Sequence, residues 1–375
     1  MREDRTSVVP SGRFAYLDNL KVLMVVGVIV AHATFAWTDV GNWVVKEEQL
    51  REPALSLVTV VAAIAGLFGL GLFFLIAGVF TPRSLERKGP ARFLVDRTVR
   101  LGVPMLFFVI FFSPPVEWVD DDRQSTAGSF WDFTLDIWWP PAPGPTWFLG
   151  VLLLFSFGYT LVRVVRPASG RHEALSWKPL VLAGAVIALA SFVARLAVPL
   201  GEEVFRLALG QSPGWVLGFV LGCLGGERGW FDVIPPKLAR GCRLLGWSAA
   251  VSIVGFIAVS VATGGGPEDF AGGANWPALL LVCVEAALVI GMSIWLIDLF
   301  RRRFNQQGPL LKEMSRSAFA AFLVHQVVLV GAVLVTRKVD WVPELEFLLA
   351  CLLGIAGSFA LASLVVRIPG VSRFV

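Results

Sequence analysis

Stretches of about twenty mostly apolar residues recur along this chain from end to end, and they limit its fold more than any other feature. A helix needs about 20 such residues to cross roughly 30 Å of hydrocarbon. Inside lipid the backbone polar groups must be satisfied within the structure, so a helix that bonds itself is the natural spanning unit. Such runs fall near 20–38, 54–80, 97–113, 146–162, 180–199, 207–225, 244–263, 276–299, 317–336 and 347–366. The third holds only 13 strictly apolar residues unless it begins at Arg97, and the sixth is interrupted by Gly210, Pro213 and Gly214. The expected fold is an all-α integral membrane protein of about ten transmembrane helices, a single domain over residues 1–375 with no separate soluble domain. Composition agrees: 16% of residues are charged, against roughly 25% in soluble domains.

Charge supplies an independent check on these spans. With the N-terminus inside, the inner segments carry 24 of the 32 basic residues and the outer segments 6, leaving only Lys21 and Arg195 within spans. Cytoplasmic loops are enriched in Lys and Arg, so both termini are expected to be cytoplasmic. Acidic residues lean the other way, 17 outside against 9 inside. Removing either weak span would invert every later loop and spoil this alternation. The net charge of +4 thus follows membrane topology, and no nucleic-acid partner is expected. Ala31-His32-Ala33 resembles a signal-peptide cleavage site, but the apolar run continues past it, so cleavage is not expected. Cys223, Cys242, Cys283 and Cys351 are far apart and read as buried small hydrophobes, with neither disulfides nor a metal site.

The largest outer loop, 114–145, combines carboxylates and indoles: Glu117, Trp118, Asp120, Asp121, Asp122, Trp131, Trp138 and Trp139, followed by a proline-rich connector into Trp147. Aromatic faces beside carboxylates suit a sugar; an interfacial Trp belt with a solvated acidic loop accounts for them equally well.

Ionisable side chains inside spans are costly and are functional candidates by default. Here they are Lys21, His32, Arg195, Glu285, Asp298 and His325, with Arg97 and Arg100 at a helix start. Eleven residues separate Lys21 from His32, about three helical turns or roughly 16 Å along one face. Asp18 lies one turn before Lys21. This puts a carboxylate and an ammonium at the cytoplasmic mouth, with an imidazole above them. A Lys at a helix end ordinarily snorkels; a histidine two-thirds of the way across a span has no such explanation, and imidazole suits proton transfer. His325 fits either a hydrogen bond to a neighbouring helix or a part in the chemistry, whereas His172, in a basic cytoplasmic loop, reads as solvated. Arg97 and Arg100, three apart on one face, are expected either to anchor the inner boundary or to hold a phosphate-bearing ligand. Glu285 is uncomfortable at mid-span unless protonated or paired. Arg195 and Asp298, near the boundaries, read as snorkelling residues. No P-loop, G-x-G-x-x-G, G-x-S-x-G, H-E-x-x-H or paired CxxC motif occurs.

Lys21 and His32 resemble the R/K-x10-H helix that opens the membrane-bound acyltransferase-3 family, here preceded by Leu17-Asp18-Asn19-Leu20. Leu72 through Phe80 resembles its F-F-x-[IL]-S-G-F segment. Arg97-Thr-Val-Arg100-Leu101-Gly-Val-Pro104 resembles its R-x-x-R-L-x-x-P. Trp147-Phe148-Leu149 resembles its W-[YF]-L, and Ser317 through His325 its S-x-x-x-Y-L-x-H. The opening and the Trp-Phe-Leu region look closest to the branch that succinylates periplasmic glucans. Departures are Lys21 where Arg is commoner, Ala77 for Ser and Phe322 for Tyr.

The resemblance implies an enzyme, an acyltransferase of non-aminoacyl groups, in a plasma (inner) membrane of prokaryotic type. Its donor would be cytosolic acyl-CoA, acetyl-CoA or succinyl-CoA, with no permanently bound cofactor. Its acceptor would be a hydroxyl of an extracytoplasmic glycan, a glycolipid or another molecule. It assigns catalysis to His32, with Lys21 and Asp18, and acyl-CoA binding to Arg97 and Arg100; His325, Glu285 and Trp147 are secondary candidates. A multi-pass transporter or flippase, with Glu285 and His325 as a proton relay, is the alternative.

Overall fold

The computed structural model describes residues 14–41, 43–120, 124–126, 128–137, 141–167, 172–262, 264, 266 and 268–374. Ten helices stand where the apolar runs predict them: α1 Ala15–Trp37, α2 Ala54–Lys88, α3 Pro90–Trp118, α4 Trp147–Val165, α5 Trp177–Arg195, α6 Ser212–Arg228, α7 Pro236–Ala262, α8 Trp276–Arg303, α9 Pro309–Thr336 and α10 Pro343–Val365. Among the described residues the only β-type pairing is an isolated bridge, Val204 to Leu207. Among the described residues, nine of these helices are long and apolar enough to cross a membrane. The exception is α6, whose 17 residues span about 25 Å.

The sequence-based boundaries err mostly at the inner ends, where helices run on past the apolar stretch into charged residues. α2 passes through Pro82 to Lys88, and α8 ends on Arg301, Arg302 and Arg303, cations that suit a helix C-terminus. α3 extends on both sides of the expected 97–113, with π-helical turns at Thr98–Gly102 and Phe108–Phe112. In α6, Pro213 and Gly214 fall in the first turn rather than interrupting the helix.

Relative directions test the alternating topology. Gly218 packs on the Gly71 backbone, Gly222 on that of Leu75 and Gly226 on that of Val79. Both partners advance by four, so α6 runs parallel to α2, as two even-numbered spans must. A side chain at Gly222 would collide with the Leu75 carbonyl; only small residues let two backbones approach this closely. α9 runs parallel to α1: Asn19 Nδ2 donates to the Phe304 carbonyl (2.7 Å) before α9 begins, and Arg337 pairs with Glu47 beyond the far end of α1. α10 runs antiparallel to α9, with Arg367 on Glu313 (3.2 Å) at one end and Gly354 against Leu329 midway. Both described chain ends therefore lie at the same, basic end of the bundle. α1, α8 and α9 are the most buried helices, whereas α4 and α5 expose Leu154, Leu161, Val181, Leu182 and Leu189, as a lipid-facing layer requires.

Several single-residue expectations need correction. Arg195 is fully buried (1% exposed) rather than snorkelling, and it pairs with Glu285. Asp298 is buried (6%) and held by Arg301 (3.0 Å) and Arg302 (2.7 Å). Cys283 is exposed, while the other three cysteines are buried, and all four are free. His172 is exposed, as read. Asp121, Asp122, Trp138 and Trp139 lie outside the described residues.

Candidate active site

The parallel packing of α1 and α9 brings His32 and His325 together, with ring centroids 5.0 Å apart at an interplanar angle of 66°. In each ring Nδ1 faces a carbonyl of the preceding turn: Val28 at 2.8 Å for His32 and Phe322 at 2.6 Å for His325. A carbonyl can only accept, so Nδ1 carries the hydrogen in both rings and Nε2 carries the lone pair. Nε2 of His325 is buried without a partner. His32 keeps part of its surface accessible, and no hydrogen bond occupies its Nε2 among the described residues. The helix backbone thus sets the tautomer, and two basic ring nitrogens stand free about 16 Å above the level of Lys21.

The loop after α1 packs against His32. Trp43 is buried, with its ring 5.4 Å from His32, and Phe35 stands 5.6 Å from the same imidazole. Lys46 Nζ holds the loop in place by donating to the carbonyls of Phe35 (2.8 Å), Thr38 (3.1 Å) and Gly41 (3.2 Å). The first two are acceptors that the C-terminus of α1 leaves unsatisfied, where a cation is favoured, and the third lies in the loop itself. Arg337 anchors the next residue, Glu47, whose carboxyl burial pushes above its usual range against the pull of that guanidinium. Beside the histidines, Gly144 adopts φ +47° against Gln326 and Phe108, a contact that leaves no room for a side chain. The Gly144–Thr146 turn is thereby seated against α9 at Gln326.

Toward the basic end, aromatic rings pack below the histidines. Phe322 lies 5.6 Å from His325, 5.8 Å from Phe148 and 6.4 Å from Phe73, and Phe73 is 5.7 Å from Phe148. These three rings, from α2, α4 and α9, stand between the histidines and the cations below, and each stays partly accessible. Below them, Lys21 sits over the Phe80 ring (4.6 Å) and pairs with Asp18 (2.8 Å). Arg97 reaches the neighbouring Thr81 hydroxyl at 3.5 Å and lies over Phe93 at 5.2 Å. Its Nε is buried without a partner, and among the described residues it has no carboxylate. One turn of α2, Phe80–Thr81, therefore gathers Lys21 and Arg97 at one level.

Other candidates lie elsewhere. Arg100 is exposed and already bonded to Asp96 (3.2 Å), which Lys88 also holds (2.7 Å). Trp147 packs against Trp215 with centroids 4.8 Å apart and the rings tilted by 36°. Glu285 is locked to Arg195 between α5 and α8, and Arg195 Nε also donates to the Gly210 carbonyl (3.1 Å). Among the described residues no three His, Cys, Asp or Glu side chains gather as a metal site. The sequence reading overlooked Trp43, the Thr81 partner of Arg97 and the Phe73–Phe148–Phe322 cluster. Trp43 left one signal, an indole in a short polar loop within a dozen residues of the buried histidine.

Nine helices of membrane-spanning length among the described residues, with two imidazoles paired in their interior, define a multi-pass membrane protein with the equipment of an enzyme. The chain belongs to the acyltransferase-3 family: residues 14–363 match the model of its acyltransferase domain. It is therefore a membrane acyltransferase, moving acyl groups other than aminoacyl groups. No match was found among curated proteins or among solved structures.

Proposed function

We propose that this acyltransferase moves an acetyl or succinyl group from cytosolic acyl-CoA to a hydroxyl of an extracytoplasmic glycan or glycolipid, in a plasma (inner) membrane of prokaryotic type. The observation that carries this reading is the free lone pair on His32 Nε2, fixed by the Nδ1 bond to Val28. As general base, Nε2 accepts the proton of the acceptor hydroxyl while its oxygen bonds to the thioester carbonyl carbon. The C–S bond then breaks, and coenzyme A leaves as the thiolate. As nucleophile, the same nitrogen would carry the acyl group first. His325, 5.0 Å away, limits how His32 can turn. Arg97, which has no carboxylate partner among the described residues, would hold a coenzyme A phosphate. Lys21 adds a second positive centre, with Asp18 fixing its ammonium. The opening helix and Trp147-Phe148-Leu149 favour a glucan acceptor and a succinyl donor.

The transporter alternative loses its physical basis, because a relay through Glu285 and His325 needs a carboxyl free to exchange protons with the histidine. The test is transfer from radiolabelled acetyl-CoA and succinyl-CoA by the purified protein onto cell-envelope glycans. Transfer that disappears in His32→Ala, with membrane insertion intact, supports the reading; an active His32→Ala protein sinks it. Label retained on the wild-type protein in the absence of acceptor marks the nucleophile route.

A further inference from the structure

A second basic site lies apart from the histidines, at the inner ends of α7 and α8. A cavity of about 210 Å³ opens there between the two helices, walled by Arg240, Arg243, Arg302, Arg303, Trp295 and Asp298. At about 30 Å³ per water, this is room for a phosphate group and several further atoms. Its one carboxylate is spent: Asp298 is already held by Arg301 (3.0 Å) and Arg302 (2.7 Å). Arg240, Arg243 and Arg303 have no ion pair among the described residues. Positive-inside topology asks only for cations at this depth. It does not ask for three unpaired guanidinium groups around a hollow.

The face of α7 above the cavity indicates the kind of molecule that fills it. Arg240 is followed at steps of four and three by Leu244, Trp247, Val251 and Val254, which lie on one side of the helix. Their exposures are 66%, 50%, 67% and 52%. Trp247 meets Trp295 edge to face at 5.7 Å, and paired indoles mark the headgroup level of a bilayer. A cationic hollow continuing into an apolar stripe along the membrane normal has the outline of a phospholipid. We infer that this cavity binds the phosphate headgroup of an anionic phospholipid, with an acyl chain lying along the Leu244–Val254 face. Arginine forks match phosphate oxygens two at a time, and basic hollows between inner helix ends suit such headgroups.

The experiment uses the full-length protein in detergent, titrated with phosphatidylglycerol or phosphatidylcholine and read by native mass spectrometry and thermal unfolding. Wild type is expected to retain phosphatidylglycerol and gain unfolding temperature with it, and to do neither with phosphatidylcholine. Arg240→Ala/Arg243→Ala should weaken phosphatidylglycerol binding about 25-fold, from two lost headgroup contacts; Arg240→Lys/Arg243→Lys should lose less. Arg92→Ala/Arg316→Ala, at exposed cations of the same end, should leave binding unchanged. Equal loss in that control would mean diffuse surface attraction and would overturn the inference. So would displacement of the lipid by millimolar glycerol 3-phosphate, which would assign the cavity to a soluble phosphate, or equal retention of phosphatidylcholine.

Discussion

Glu285 and Arg195 form a buried ion pair, each 1% exposed, and its removal has a calculable consequence. Replacing Glu285 with Leu leaves a guanidinium that cannot discharge, with one nitrogen on the Gly210 carbonyl and Nη1 already lacking a partner. Breaking one side of such a pair costs about 3–5 kcal/mol, or about 10²–10⁴-fold in the folded-to-unfolded ratio. Arg195→Met should cost less, because a lone carboxyl can be neutralised by a proton and a guanidinium cannot. Arg195→Met/Glu285→Leu removes both charges and their desolvation together, so it should be more stable than the Glu285→Leu single variant. Thermal unfolding of all four proteins in one detergent gives the double-mutant cycle, with an expected coupling of a few kcal/mol. The folded double variant should still transfer acyl groups, because the pair lies on helices that carry no histidine. Strictly additive losses would refute the ion-pair reasoning. A folded but inactive double variant would refute the structural assignment of Glu285 and bring it back into the chemistry.

His32→Ala should lower the rate of acyl transfer by about 10²–10⁴-fold, the usual worth of a positioned base, with unchanged insertion and unfolding temperature. The two arginines should separate: Arg97→Ala raises the acyl-CoA concentration needed for half-maximal rate, whereas Arg100→Ala, exposed and spent on Asp96, has little effect. Equal effects in donor titrations would remove the distinction. Gly222→Leu should wedge α2 from α6 at the Leu75 carbonyl and lose folded protein in fluorescence-detected gel filtration; Gly158→Ala, where a side chain meets open space, should not. Lys46→Met removes three donated hydrogen bonds from the end of α1. It should cost about 1 kcal/mol for each bond lost and, by loosening Trp43, make His32 more reactive to diethyl pyrocarbonate.

The sequence by itself determined the architecture. Hydrocarbon thickness sets helix length, and the bias of Lys and Arg sets direction, so a series of membrane-length helices and a shared end for the two described chain ends follow from local composition. It also singled out His32 as a candidate, because an imidazole that deep in lipid is costly. Partnership was decided by tertiary structure alone. Whether Glu285 faces His325 or Arg195, whether Arg97 or Arg100 stays unpaired, and whether Trp43 covers the histidine all depend on which helices touch and in what register. That register comes from close backbone approaches such as Gly222 on Leu75, contacts between residues far apart in the chain that no periodicity within one span encodes.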